Sequence, residues 1–265
     1  MVVLGTSLFG SSTAAQAANA PAVVTLVHGV RGLVADVYLD SKLAITAFQP
    51  ERSTDPLELP AGTHVVDVRA AGAAQTADPL LHAVVKLAGG SRQSAVVHLD
   101  VDGKPTISRF DDDLSRVPAG TTRVVVRHAA AVGTIDVTVD SGPGAAGLSN
   151  GHETVFQIAA GTHQLGVVDP PTGAAIAPPQ GVPLAEGSAN FLYLIGSQRE
   201  GSLGWAAVKV SGLQTAPARI QTGDGSLAAT PSSSPRRLAL AIGGGMAAFV
   251  AALTWRRPRR VPQGP

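Results

Sequence analysis

Two stretches decide the fold: Val24-Thr25-Leu26-Val27-His28, and after it Ala35-Asp36-Val37-Tyr38-Leu39-Asp40. Both are short, rich in β-branched residues and followed by polar or glycine-containing segments, as strands are. In the second, Val37 and Leu39 share one face, while Asp36, Tyr38 and Asp40 share the other. That period of two predicts a strand with one face on a core and one in water. The pattern then returns 100 residues later, as Val124-Val125-Val126-Arg127-His128 and Ile135-Asp136-Val137-Thr138-Val139-Asp140. A third block, Leu59-Pro60-Ala61-Gly62-Thr63-His64, returns at an offset of 99 as Ile158-Ala159-Ala160-Gly161-Thr162-His163. Three blocks in the same order at nearly constant spacing are an internal duplication. They predict two related domains, at 21–113 and 117–212. Pro118-Ala119-Gly120-Thr121 reads as the turn between them.

Working outward, each copy reads as all-β. The first predicts strands at 23–28, 35–39, 63–69, 80–87, 93–101 and 104–110. The second predicts them at 123–128, 134–139, 153–158, 162–168, 190–195 and 205–210. Asp102-Gly103, Asn150-Gly151 and Asp169-Pro170-Pro171-Thr172-Gly173 supply turn chemistry between them, and Asp102-Gly103 suits a type I′ hairpin. Gly62 and Gly161 are expected at positive φ, launching the strands that follow. Six or seven short strands in each 90–100 residues predict two tandem immunoglobulin-like β-sandwich domains, in architecture only, since the chain has no Cys.

The ends read differently. The chain has 265 residues with 45% hydrophobic, 15% charged and 4% aromatic side chains. Its net charge of +1 gives no footprint for nucleic acid, and its lack of Cys excludes disulfides and thiolate metal sites. Apolar residues from Val2 to Phe9 precede a small-residue run ending Ala15-Gln16-Ala17, which predicts a signal peptide over 1–20 cut after Ala17. Residues 213–235 are rich in Ala, Gly, Ser, Thr and Pro and read as a stalk. Leu238 to Trp255 carries no charge and is long enough for one transmembrane helix. Trp255 with Arg256, Arg257, Arg259 and Arg260 marks its cytoplasmic flank, and 256–265 is a basic tail. Residues 1–235 hold 14 Lys and Arg against 19 Asp and Glu, whereas the last 30 residues hold six Arg and no acid. The overall charge therefore sums an acidic outer part and a basic collar.

The repeated blocks resemble DUF4397, a bacterial family of unknown function. Val27-His28, Asp36-Val37-Tyr38-Leu39-Asp40 and Ala61-Gly62-Thr63 carry the resemblance in the first copy, and the second copy follows more loosely. The loops Gly29–Val34 and Ala129–Gly133 depart from the family's Ala-Ser-Pro-Asp-Ala-Pro-like run. The resemblance implies an exported envelope β-sandwich and no particular activity.

The repeated ionisable sets are His28, Asp36 and Asp40, and His128, Asp136 and Asp140. A His beside carboxylates can hold a metal or move a proton. Recurrence in both copies favours a structural role instead, because fold-determining contacts duplicate with the fold. Gly62 and Gly161 join them as structural repeat residues. His64 and His163 read as exposed strand starts. Asp111-Asp112-Asp113 reads as a solvated acidic linker, with an inter-domain calcium site as the alternative. Hydrolase and phosphate-loop patterns are absent from the sequence. The expectation is a non-catalytic protein without cofactor, spanning the membrane once, its bulk extracytoplasmic, contacting cell-wall polymer or another envelope protein through loops 29–34 and 129–133. No nucleic-acid partner is expected. Two alternatives remain: a metal-dependent envelope enzyme or accessory using the His/Asp sets, and a wall protein attached by a sortase through Leu227-Ala228-Ala229-Thr230-Pro231.

Overall fold

The computed structural model describes residues 19–215, and these form sixteen β-strands, eight in each half. The first half runs β1 (Ala22–His28), β2 (Ala35–Leu39), β3 (Lys42–Phe48), β4 (Leu57–Leu59), β5 (Gly62–Ala70), β6 (Leu81–Leu87), β7 (Arg92–Leu99) and β8 (Pro105–Asp111). The second runs β9 (Thr121–Ala131), β10 (Ile135–Val139), β11 (Gly142–Leu148), β12 (Glu153–Ala159), β13 (Gly161–Val168), β14 (Ala175–Leu184), β15 (Ala189–Ser197) and β16 (Gly204–Val210). Each half is a pair of four-stranded sheets: β4-β1-β7-β8 with β3-β2-β5-β6, and β12-β9-β15-β16 with β11-β10-β13-β14. The orders are identical strand for strand, so the duplication extends to the whole topology. In each half the first strand pairs in parallel with the seventh.

The twelve strands expected from the sequence are present, and β3, β4, β11 and β14 join them. The added strands change the topology. The second strand pairs with the third and fifth in one sheet, an order that differs from the ABED/CFG order of immunoglobulin constant domains. The link from β2 to β3 explains why β3 escapes the alternation pattern. Asp40 and Ser41 have φ of 49° and 66°, and Asp140 and Ser141 have 50° and 65°. Positive φ at two successive residues makes a type I′ turn, which reverses the chain at once. Asp40 and Asp140 therefore lie in turns and not on strand faces. At Asp102-Gly103 only Gly103 has positive φ, 85°, and the Asp100 N–H donates to the Lys104 carbonyl at 2.9 Å. That is a three-residue loop with a glycine bulge in place of the expected type I′ turn. Gly62 and Gly161, at φ 138° and 155°, stand where the chain crosses from one sheet to the other.

Three apolar cores hold the layers. Val24, Leu26, Val37, Val68 and Val97 fill the first sandwich, and Val124, Val126, Val137, Leu165 and Leu194 fill the second. A third core, with Val27, Val96 and Phe110 from one half and Val125, Phe191, Tyr193 and Ile195 from the other, lies between the halves. The sheets containing β1 and β9 thus bury both faces, and the molecule is a stack of four sheets. Ala17, Trp255, Arg256, Arg257, Arg259, Arg260 and the transmembrane helix at 238–255 lie outside the described residues, as does almost all of the signal segment and stalk. Among the described residues no helix is long and apolar enough to cross a membrane.

Candidate functional site

The structure separates the residues that the sequence groups together. His28 does not meet Asp36 or Asp40. Its Nε2 lies 3.0 Å from the Leu33 carbonyl, and its Nδ1 accepts from the Val30 N–H at 3.3 Å, pinning the β1–β2 loop from inside. His128 repeats this with the Gly133 carbonyl at 2.9 Å and the Ala130 N–H at 3.4 Å. One nitrogen donates and the other accepts, so each ring is held neutral. Burial lowers both pKa values, partly opposed by the backbone carbonyls.

Asp36 is buried, contrary to its expected solvent face. It accepts from the Ala47 N–H at 2.7 Å and the Gly72 N–H at 2.9 Å, and these two amides hold its carboxyl below the usual range. Ala47 sits in a bulge of β3 at φ 50°. Asp136 does the same for the bulge of β11, accepting from the Gly147 N–H at 2.7 Å.

Asp40 and Asp140 instead pair with the histidines read as mere strand starts. His64 Nδ1 lies 2.7 Å from Asp40 Oδ2, and His163 Nδ1 lies 2.7 Å from Asp140 Oδ2. The other nitrogens face the Pro60 carbonyl at 2.9 Å and the Ala159 carbonyl at 3.0 Å. Both ring nitrogens have acceptors, which favours the imidazolium. Both pKa values are raised, first by the carboxylate. His64 is buried, not exposed. Each Asp also accepts from the backbone of the following strand, Val65 at 2.9 Å and Gln164 at 2.8 Å, so one carboxylate closes the turn and anchors the histidine. The rings of His28, His64, His128 and His163 thus have both nitrogens engaged. Among the described residues no group of three or more His, Asp or Glu could hold a metal ion.

In the acidic linker Asp111 and Asp113 are exposed, as expected, while Asp112 turns inward. Asp112 Oδ1 lies 2.9 Å from Arg127 Nη2, and Arg127 Nε donates to Glu153 at 2.8 Å. Arg127 is fully buried between the halves. Its guanidinium carbon lies 4.6 Å from the Phe110 ring centroid and 4.7 Å from that of Phe191. Arg127 donates to the Tyr193 hydroxyl at 2.8 Å, Tyr193 donates to Ser94 at 3.0 Å, and Ser94 donates to Asp112 at 2.9 Å. This closed ring ties the two copies together with its buried polar groups satisfied. Asp111 accepts from Gln93 at 2.8 Å and Asp113 lies 3.2 Å from Arg123.

The two loops expected to carry recognition both reach the junction, while Gly32, Val34 and Gly133 stay exposed. Arg31 donates to the Ser202 and Leu203 carbonyls of the second copy at 2.9 and 3.1 Å. Ala129, Ala130 and Ala131 are buried within β9. Asn150 donates to the Leu99 and Ala130 carbonyls at 3.0 and 2.6 Å. One polar cluster belongs to the first copy alone. On the outward face of its second sheet, His82 pairs with Asp67 at 2.7 Å, and Arg69 stacks on Tyr38 at 4.9 Å. Thr138, Gly166 and Val168 stand at the positions of Tyr38, Asp67 and Arg69. His82 is exposed, and among the described residues no Ser or Thr hydroxyl is hydrogen-bonded to it.

A family model described as "Domain of unknown function (DUF4397)" matches residues 22–138, which takes in the first sandwich and ends in β10 of the second. No curated protein matches the chain.

Proposed function

We propose that this chain, a DUF4397 domain-containing protein, is a non-catalytic, membrane-anchored envelope protein whose paired sandwiches form one rigid extracytoplasmic binding or structural module. The observation that carries the reading is the core between the halves. Tandem domains that move independently keep polar faces at their junction. Here the junction buries Phe110, Phe191, Tyr193 and an ion-paired Arg127. A fixed block suits holding a surface at a set distance from a membrane. The engagement of the repeated His and Asp residues with backbone supports a structural role for them. The apolar run 238–255 with its arginine flank supports a single pass with the C-terminus inside.

Protease added to intact cells tests this. The expected result is release of a resistant fragment spanning about 19–215, with the arginine-rich tail retained in the membrane fraction and extracted by detergent. A fragment protected until lysis would overturn the topology. Release only after muralytic digestion would replace the membrane anchor with a sortase linkage. Stoichiometric zinc or calcium in the purified protein would overturn the non-catalytic reading in favour of the metal-dependent one.

A further inference from the structure

Each of the four sheets ends in two edge strands, and an edge with free N–H and C=O groups is a template for another strand unless it is blunted. Most are blunted here. β4 has three residues, β3 and β11 are bulged, β8 begins at Pro105, and β14 contains Pro178, Pro179 and Pro183. β6, β12 and β16 run without bulge or proline. The direction of their free backbone groups follows from the bonds on the other side. The His128 N–H donates to the His152 carbonyl and the Ala160 N–H to the Gly120 carbonyl, both at 2.9 Å. Alternation between these points turns the N–H and C=O of Glu153, Val155 and Gln157 away from β9. On β5, the Val65 carbonyl accepts from Asp40 of the β2 side, so His64, Val66 and Val68 face β6. Their partners are Val85, Ala83 and Leu81, which leaves His82, Val84 and Lys86 turned outward. The Lys86 carbonyl accepts from Arg109 and keeps a second lone pair.

Val84 and Val155, at 64% and 56% exposure, are the two most exposed large apolar side chains among the described residues. An antiparallel register that sets Val84 opposite Val155 also sets Lys86 opposite Glu153 and His82 opposite Gln157. Glu153 uses Oε2 on Arg127, leaving Oε1 for Lys86. On the other face the same register sets Leu81 beside Ile158 and Ala83 beside Phe156, and these four pack on the cores of their sandwiches. Free backbone groups, charges and apolar faces therefore agree in one register. Pairing β6 with itself about Val84 would set Lys86 against His82, and β16 carries no acid to meet Lys86. We propose that the protein associates with further copies of itself, β6 of one molecule adding antiparallel to β12 of the next. The two edges belong to different sandwiches, so the contact is heterologous and repeats into a row. It depends neither on membrane topology nor on the chain's being non-catalytic, so its test is independent of both.

The test is disulfide crosslinking of the purified full-length protein. The chain has no Cys, so introduced thiols report alone. Directly opposed residues of such a pair stand about 5.5 Å apart between Cα atoms, within disulfide reach. Val84→Cys and Val155→Cys proteins, mixed and oxidised, should give a dimer that neither gives alone. The double variant should give a ladder of multimers. Ala207→Cys, exposed on β16, supplies the background when mixed with either. Lys86→Glu, at an exposed position, should keep the fold and lower the mixed dimer about fivefold or more, whereas Lys86→Arg should leave it unchanged. A mixed dimer no more abundant than the Ala207→Cys background, an equal yield from either variant by itself, or an unchanged yield with a folded Lys86→Glu protein would each overturn the proposal.

Discussion

In the first sandwich the sheet face turned toward its neighbour carries Thr25, Val27, Ser94, Val96 and His98; the same positions in the second carry Val125, Arg127, Phe191, Tyr193 and Ile195. The backbones are equivalent, yet one face is small and polar-edged while the other is large. Two identical copies of either face would leave gaps or clash, because side-chain volumes must interlock across a packed layer. Divergence after duplication thus made the faces complementary. The inner cores, by contrast, stayed mostly aliphatic in both copies. The exchange Val27 for Arg127 is the sharpest of these differences. A residue that is merely a methyl-bearing filler in one copy is an ion-paired anchor in the other.

Substitution at that pair probes the comparison most strongly. Arg127→Met keeps the volume but strands the half-buried Asp112 and the partly exposed Glu153, and should cost about 3–5 kcal/mol in urea unfolding. Val27→Ala, at the matching position, removes only methyl groups and should cost about 2 kcal/mol. Equal costs would mean that the junction is held by packing alone.

The next largest effect separates two kinds of histidine. Burial, first of all, lowers the His98 pKa from 6.5 to about 4, and it lowers those of His28 and His128. His98 is held by the Leu99 carbonyl at 3.0 Å and by Ser108 at 2.8 Å. The unfolded chain takes up these protons first, so their contribution is complete above pH 6.5 and falls as the pH drops toward 4. His98→Gln should flatten this acid limb by roughly 3 kcal/mol between those limits, measured by denaturant titration at each pH. His64 and His163 run the other way. Their raised pKa values give stability that is complete below pH 6.5 and lost as the pH rises through the folded values.

A smaller effect is a mirror experiment on the bulges. Ala47 has φ 50° in β3, and Gly147 has φ 71° at the same place in β11. Ala47→Gly should stabilise by about 1 kcal/mol, and Gly147→Ala should destabilise by a similar amount, in thermal unfolding. The smallest effect is local. Asp40→Asn and Asp140→Asn should return the His64 and His163 pKa values toward 6.5 in NMR titrations while the rest of the spectrum holds.

The duplication and its strands were legible because valine-rich alternation and the Asp-Val-x-x-Asp spacing are local signals. β11 was not, since Gly142-Pro143-Gly144-Ala145-Ala146-Gly147-Leu148 carries almost no β-forming residue, and only its partner β10 and the turn at Asp140-Ser141 make it a strand. β14 hides behind Pro178 and Pro179, which an edge strand tolerates. The junction left one trace. Val124-Val125-Val126 does not alternate, and such runs mark strands buried on both faces. Arg127 directly after it looks like an ordinary outward residue, because alternation says which way a side chain points and not what waits there. The pairing of Asp40 with His64 was missed for the same reason: their neighbours in space come from separate strands.

The parallel pairing of the first strand with the seventh has a consequence for how the chain is made. Val23 pairs with Arg92, and Arg123 pairs with Ala189. As the polypeptide emerges from its N-terminus, β1 must wait with an unsatisfied edge until most of its own sandwich has been synthesised. Long-range strand pairing of this kind is slow and exposes apolar surface meanwhile. The first sandwich, once closed, then presents Val27, Val96 and Phe110 to water until β15 arrives. The molecule therefore has two successive vulnerable intervals during its birth, one for each parallel pairing that must wait.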